Sequence, residues 1–239
     1  MIPKIIHFVW VGGNEKPDKI KKCMKTWAIL ESAGFEIMEW NEDTFDVMSH
    51  EFTRKAYEQK KWAFVSDYIR AYAVNEFGGV YLDTDIIIRK DLTPLLENRA
   101  FVGYETDDYP FTAVFGAEKG HPFVKDMLEM FDSKTFNLDL DNPYEEVNTK
   151  TVTDILVEKY ACKTGNIEQV LVEDIKVYPK EILCMPTFSS YSVHVFTRTW
   201  LDDKKSLIRR FTTFLRLRCN NDLAMLLLCF IKWLGKKLN

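Results

Sequence analysis

The sequence predicts an α/β sandwich, a mostly parallel central sheet flanked by helices, from three observations. Short apolar runs of strand length alternate with longer segments at helical spacing. Glycine pairs at Gly12-Gly13 and Gly78-Gly79 punctuate them, and no linker is evident before about residue 200. The 239 residues, 46% hydrophobic and 28% charged, can bury a large core as one domain or as a domain with an appendage. Ten glycines and eight prolines, with no repeat and no low-complexity tract, exclude collagen, disorder, solenoids and propellers.

Taken in order, Lys4 to Val11 reads as a buried strand ending at Gly12-Gly13. Asp18 to Leu30 reads as a helix with Ile20, Met24, Trp27 and Ala28 on one side. Phe35 to Trp40 is a second strand. Trp62 to Phe77 is helical, apolar over much of its surface, and stops at Gly78-Gly79. Val80 to Leu82 and Ile86 to Ile88 are strand-like on either side of Asp83-Thr84-Asp85. Phe101 to Tyr104 and Phe111 to Phe115 follow as strands, then Pro122 to Phe131 and Thr149 to Tyr160 as helices. Ile175 to Val177 and Ile182 to Met185 are late strands.

Charge divides the chain. Residues 204–239 hold nine Lys/Arg against one acid, a balance of +8, which leaves −12 on the first 203 residues. A body this acidic argues against broad nucleic-acid binding. The division predicts a body over 1–203 and a basic amphipathic helical segment over 204–239. The apolar run Leu223 to Ile231 is too short to span a bilayer, which needs roughly 20 residues. Two readings of the segment stand, a helix lying on an anionic membrane surface and a helix packed on the body. Five scattered cysteines without C-x-x-C spacing suggest neither a disulfide framework nor a structural zinc site. With no signal-peptide pattern in the first residues, the expectation is a cytoplasmic protein, peripheral on the cytoplasmic face of the membrane if the tail binds lipid.

The chemistry concentrates between Ala63 and Ile88. Asp83 and Asp85, two apart in extended chain, point the same way and can share one hard divalent cation or split between cation and substrate. With 18 Asp, chance alone supplies about one D-x-D, and a second stands at Asp139-Leu140-Asp141 in a polar stretch. Context separates the two, because burying Asp83 and Asp85 between apolar strands without a counter-charge is costly. Asp67 and Arg70, three apart on the preceding helix, read either as a local surface ion pair or as a pair brought beside the carboxylates. Trp10, at the carboxyl end of the first strand, reads as a core residue or as a platform for a planar ring in the crevice where such sheets bind ligands.

These residues carry a resemblance. Ile2-Pro3-Lys4-Ile5-Ile6-His7-Phe8-Val9-Trp10-Val11-Gly12-Gly13, then Ser66-Asp67-x-x-Arg70, then Gly78-Gly79-Val80-Tyr81-Leu82-Asp83-Thr84-Asp85, resemble glycosyltransferase family 32, whose members include capsular and lipopolysaccharide sugar transferases. A later segment, His194 to Thr199-Trp200, is similar to that family's closing His…Ser-Trp, with Thr199 in place of Ser. The Gly-Pro usual ahead of the acceptor-side helix is not visible in Val147-Asn148-Thr149-Lys150. The resemblance implies a GT-A type fold, a nucleotide-sugar donor with UDP preferred, Mn²⁺ or Mg²⁺, and transfer of a hexose with retention to a glycan or lipid-linked acceptor. It implies that Val9, Trp10, Asp43 and Tyr81 line the nucleotide site, with Trp10 stacked on the base, and that Asp67 and Arg70 hold sugar hydroxyls. Asp83 then contacts ribose or sugar and reaches the metal through water, Asp85 ligates the metal directly with His194 as candidate third ligand, and Thr199 and Trp200 close over the diphosphate. His194 reads equally as an ordinary strand histidine between Val193 and Val195.

Two other classes compete. A strand followed by D-x-D also resembles haloacid-dehalogenase-type phosphatases, with Asp83 as nucleophile and Asp85 as acid/base, but that motif belongs at the first core strand. A membrane protein that binds nucleotide sugar without turnover is the other, and the intact acidic pair argues against it.

Overall fold

A computed structural model of the chain describes residues 1–111, 113–132, 148–197 and 207–237. In chain order the elements are β1 (Ile5–Val9), α1 (Asp18–Met24), α2 (Ala28–Ser32), β2 (Glu36–Trp40), α3 (Glu51–Glu58), α4 (Trp62–Phe77), β3 (Gly79–Leu82) and β4 (Ile86–Ile88). There follow β5 (Ala100–Gly103), β6 (Val114–Ala117), α5 (Pro122–Asp132), α6 (Asn148–Tyr160), β7 (Gln169–Val170), β8 (Ile175–Tyr178), α7 (Lys180–Leu183), β9 (Ser192–His194), α8 (Leu207–Arg216) and α9 (Asp222–Lys237).

Seven strands form one sheet in the order β2-β1-β3-β6-β5-β8-β7. β2, β1, β3, β5 and β8 run one way, and β6 and β7 oppose them. The sheet is therefore mostly parallel with helices on its faces, as the alternating pattern predicts. One face buries Val65, Ile69, Phe115 and Val177 with α3 to α6, and the other buries Ile6, Trp27, Val80 and Phe101 with α1, α2 and α7. Completely buried strands in such a sheet read as continuous apolar runs, which is what Val80-Tyr81-Leu82 is.

The close approach of β1 and β3 fixes the middle of the sheet. Gly79 has φ of +109°, and a Cβ there would lie 2.6 Å from the Ile5 carbonyl oxygen, so only glycine fits. His7, fully buried on β1, accepts the Trp40 indole N–H at Nδ1 (3.1 Å), which leaves Nε2 to donate to the Gly78 carbonyl at 2.7 Å. One imidazole thus ties β1, β2 and the turn that starts β3.

Several expectations are corrected. The helix from Asp18 to Leu30 is two helices joined by a 3-10 turn at Lys25–Trp27. The strand expected at Phe111 to Phe115 is β6, three residues later, because Leu82 pairs with Val114 and Gly79 with Ala117. Gly116 is needed in that register, since a Cβ there would meet the Phe101 ring at 2.6 Å. Ile182 to Met185 is not a strand; the chain turns helical over Lys180–Leu183 after Pro179, and the Lys180 amide is held by Asn166 Oδ1 at 2.8 Å. α3 was not foreseen, although its apolar Phe52 and Ala56 are four apart and face the core. Asp83 to Asp85 is not extended either: the Ile86 amide donates to the Asp83 carbonyl at 3.0 Å, which closes a turn.

The tail does pack on the body. α8 and α9 form a hairpin whose Leu215, Cys219, Met225 and Leu228 bury against Cys23, Ile87, Val193 and Val195. Asn221 Oδ1 caps α9 by accepting from the amides of Leu223 (3.0 Å) and Ala224 (3.3 Å). No helix among the described residues is long and apolar enough to cross a membrane.

Candidate active site

The carboxyl ends of β1 and β3 lie side by side, because His7 pairs with Tyr81 in parallel register. Two residues further on, Val9 and Asp83 emerge at the same end, where open α/β sheets bind ligands. Immediately beyond, the turn hands the chain to β4, which leaves the main sheet and pairs with β9 instead, Ile86 opposite His194. That switch brings Asp85 and His194 together across 109 positions of sequence.

The result is a cluster. One ligand atom each of Asp83, Asp85 and His194 lies within 4.8 Å of the others. His194 Nε2 is 3.2 Å from Asp85 Oδ1, and Asp85 Oδ2 accepts from the Thr197 amide (2.8 Å) and hydroxyl (3.0 Å). Burial works to raise the Asp85 carboxyl, but the His194 charge and the bonds from His194 and Thr197 outweigh it and hold the group down at about 2. Burial works to lower His194, and the Asp85 charge overrides it, so the imidazole sits well above its ordinary value. The second ring nitrogen faces Glu105 Oε2 at 3.9 Å, and the Phe196 ring stacks on the imidazole with centroids 3.9 Å apart. Arg216 of α8 closes the stack from behind: its guanidinium lies 5.0 Å from the Phe196 centroid and donates to the His194 carbonyl at 2.5 Å.

Asp83 is held from α4. Tyr81 O–H donates to Asp83 Oδ1 at 2.9 Å, with Ser66 Oγ 3.1 Å from the same phenol oxygen. Burial and the Asp83 charge push the Tyr81 phenol well up, so it remains a donor. Arg70 pairs with Asp67, reaches to 3.8 Å of Asp83 Oδ1, and lies over the Tyr81 ring at 5.3 Å. Of the two readings of Asp67 and Arg70, the exposed surface pair does not hold, since both side chains are largely buried, at 10% and 12% exposure, and Arg70 lies within reach of Asp83. One turn of α4 buries them because Val65 and Ile69 drive the same helix onto the sheet.

The remaining expected residues are placed as follows. Trp10 is half-buried against the second core face, with its indole N–H on the Asn14 carbonyl at 2.6 Å and Lys16 Nζ 5.6 Å above its ring. Val9 is buried in the core of the opposite face. Asp43 is exposed in the loop after β2, its amide accepted by Asn41 Oδ1. Thr199 and Trp200, like the second D-x-D at Asp139 and Asp141, lie outside the described residues.

Sequence reasoning missed Thr197, Ser66 as the partner of Tyr81, and Arg216. It also missed a cleft of about 540 Å³ at the end of β1, lined by Gly12, Asn14, Tyr57, Lys60 and Trp62 among others. Gly12 has φ of +93° and a Cβ there would strike the Trp62 indole at 2.6 Å, while its amide donates to Glu42 Oε1 at 2.6 Å. Trp62 was legible in principle, being one helical turn ahead of Ser66.

Two carboxylates and an imidazole make a hard-oxygen and borderline-nitrogen donor set that suits a divalent cation. The group fits, because the three ligand atoms lie within 4.8 Å of one another and one cation there would take the place of the direct Asp85–His194 contact.

Comparison with known proteins gives the class. Residues 17–102 match the family model described as "Glycosyltransferase sugar-binding region containing DXD motif". The resemblance read from the motifs is borne out: over those residues the chain is similar to the sugar-binding region of the DXD glycosyltransferases. It is 29% identical over 140 residues to inositol phosphoceramide mannosyltransferase 3 of Schizosaccharomyces pombe, covering 57% of this chain and 39% of that protein. It is 30% identical over 137 residues to an uncharacterized glycosyltransferase of Acanthamoeba polyphaga mimivirus, covering 51% of this chain and 52% of the relative. The chain thus spans about half, or less, of the length of these relatives. Two solved structures share part of its trace. The PaToxG glycosyltransferase has a TM-score of 0.46 at 19% identity, over 66% of this chain and 69% of that one. A glycosyltransferase involved in glycosylation of the major capsid of PBCV-1 has a TM-score of 0.45 at 13% identity, over 82% of this chain and 95% of that one.

Proposed function

We propose that this chain is a divalent-metal-dependent, GT-A type glycosyltransferase that moves a hexose from a nucleotide-sugar donor, preferentially a UDP-sugar, to a glycan or glycolipid acceptor, with retention at the anomeric carbon. A role in surface polysaccharide synthesis follows from the same reading. The observation that carries it is the convergence of Asp83, Asp85 and His194 within 4.8 Å, beside the Asp67–Arg70 pair. The printed name of the Schizosaccharomyces pombe relative supports a mannosyl donor and a glycolipid acceptor as the first pair to test.

In this reading Asp83, Asp85 and His194 hold the cation, with Thr197 fixing the Asp85 carboxylate and Tyr81 fixing that of Asp83. When bound, the cation neutralises charge that develops on the leaving nucleoside diphosphate. Arg70 and Asp67 offer a donor and an acceptor to sugar hydroxyls, and their mutual pairing keeps both pre-oriented. Trp10, half-buried at the strand end with Lys16 Nζ 5.6 Å above its ring, is the aromatic side chain that would stack on the base. No residue of the cluster is free to serve as a nucleophile among these contacts, which favours attack by the acceptor hydroxyl on the leaving-group side, its proton passing to the departing phosphate.

The test is donor hydrolysis. UDP- and GDP-hexoses are incubated with Mn²⁺ or with a chelator, and free sugar and its anomeric form are followed. Metal-dependent release of the α-anomer from an α-linked donor supports the reading. Cleavage of small phosphomonoesters instead points to the phosphatase, and binding without release to a non-catalytic binder.

A further inference from the structure

The outer face of the α8–α9 hairpin is apolar and turned to solvent. On α9, Leu223, Leu226, Leu227 and Phe230 recur at spacings of three, one and three, one stripe of the helix, and on α8 Phe211 and Phe214, three apart, are exposed as well. These six side chains are between 40% and 67% exposed. Among the described residues they are six of the fifteen exposed large apolar side chains, concentrated in twenty positions. Isolated exposed leucines need no explanation, but four large apolar side chains on one helical stripe beside an equally exposed pair on its hairpin partner mark a contact surface. The hairpin cannot roll over to hide it, because its inner face is already committed to Cys23, Ile87, Val193 and Val195.

Charge decides among the possible occupants. Arg210 and Arg218 are exposed beside the two phenylalanines, with the Arg218 guanidinium 3.7 Å from the Phe214 centroid. The segment 204–239 carries +8 while the rest of the chain carries −12. A second copy meeting this face with its own brings like charges together, whereas a surface of negative headgroups over hydrocarbon matches both the basic rim and the apolar centre. We propose that this face docks the protein on an anionic lipid bilayer, with α9 lying in the plane of the interface. The membrane then touches the same hairpin whose Arg216 holds the His194 carbonyl, so docking sets the acidic body and its cluster just above the lipid. This inference stands without the transfer reading, since it is measured by binding alone.

The experiment is co-sedimentation of the full chain with vesicles of phosphatidylcholine alone and of phosphatidylcholine with about one-third phosphatidylserine. The expected result is partition onto the anionic vesicles at least about tenfold stronger than onto the neutral ones, and weakened by salt. The double variant Leu226→Glu/Phe230→Glu is expected to lower it about tenfold or more, and Arg210→Glu/Arg218→Glu to remove the preference for phosphatidylserine, both with unchanged circular dichroism. Equal binding to both vesicle types, no binding, or binding that neither variant alters overturns the proposal. So does a dimer in sedimentation velocity that Leu226→Glu/Phe230→Glu dissociates, which assigns the face to a second copy.

Discussion

His194 Nε2 lies 3.2 Å from Asp85 Oδ1, joined by a ribbon of only two strands in which Ile86 faces His194. The contact makes each residue the other's electrostatic partner in the absence of any cation. His194→Ala and Asp85→Asn are both expected to lower metal-stimulated donor hydrolysis at least about 100-fold, the range seen when metal-site residues are disturbed. Asp85→Ala goes further, because it strips the counter-charge from a buried imidazolium and costs up to about 3–5 kcal/mol of stability. Chemical denaturation alongside the rate assay separates the two effects, and an Asp85→Asn protein with wild-type rates would end the metal assignment.

Tyr81→Phe removes a single hydroxyl that bridges Ser66 and Asp83. Its expected cost is about 1 kcal/mol in stability and about tenfold in turnover, with the metal concentration for half-activity raised. A purely structural phenol would change the melting curve and leave the metal titration where it was.

His7 gives the fold an acid sensitivity. Burial lowers its pKa in the folded protein below the ordinary 6.5, against the raising effect of its bond to Gly78. Below about 6.5 the unfolded chain binds a proton that the folded chain refuses, so stability is complete above that pH and declines as pH falls through it. His7→Phe should flatten this decline while lowering stability at neutral pH by about 1–3 kcal/mol, because the Gly78 carbonyl and the Trp40 N–H lose their partner. His121, also lowered by burial, contributes equally to both proteins. Denaturant midpoints across the pH range report the difference in slope.

Gly79→Ala is expected to be among the most damaging single changes outside the cluster. Its Cβ meets the Ile5 carbonyl at 2.6 Å in a backbone with φ of +109°, so β1 and β3 must separate. A loss of about 3 kcal/mol or more is expected, with activity falling in step, since the separation moves the end of β3 that carries Asp83. Thermal melting tests it; a drop of only a degree or two would mean the strands have room to spare.

Much of the candidate site was legible in the one-dimensional pattern. Asp67 and Arg70 sit three apart on a helix whose ends, Trp62 and Phe77, agree between sequence and structure. Their relation to Asp83 follows from a two-residue glycine turn too short to carry the strand elsewhere. Local spacing failed where contacts are long-range. β6 was misplaced because its register answers to β3, and α7 was misread because an apolar tetrapeptide does not announce its own period.

The order of amino acids alone determined the α/β alternation, the basic segment beyond residue 203, and the sugar-transferase motifs, because each is a matter of neighbours along the chain. Only the tertiary structure decided that β4 leaves the main sheet for β9, which joins Asp85 to His194 and Thr197, and that the basic hairpin buries one face while baring the other. Those outcomes depend on pairing between residues a hundred or more positions apart. Such pairing is selected by packing and by counter-charge in the folded chain, and leaves no periodic trace in either segment by itself.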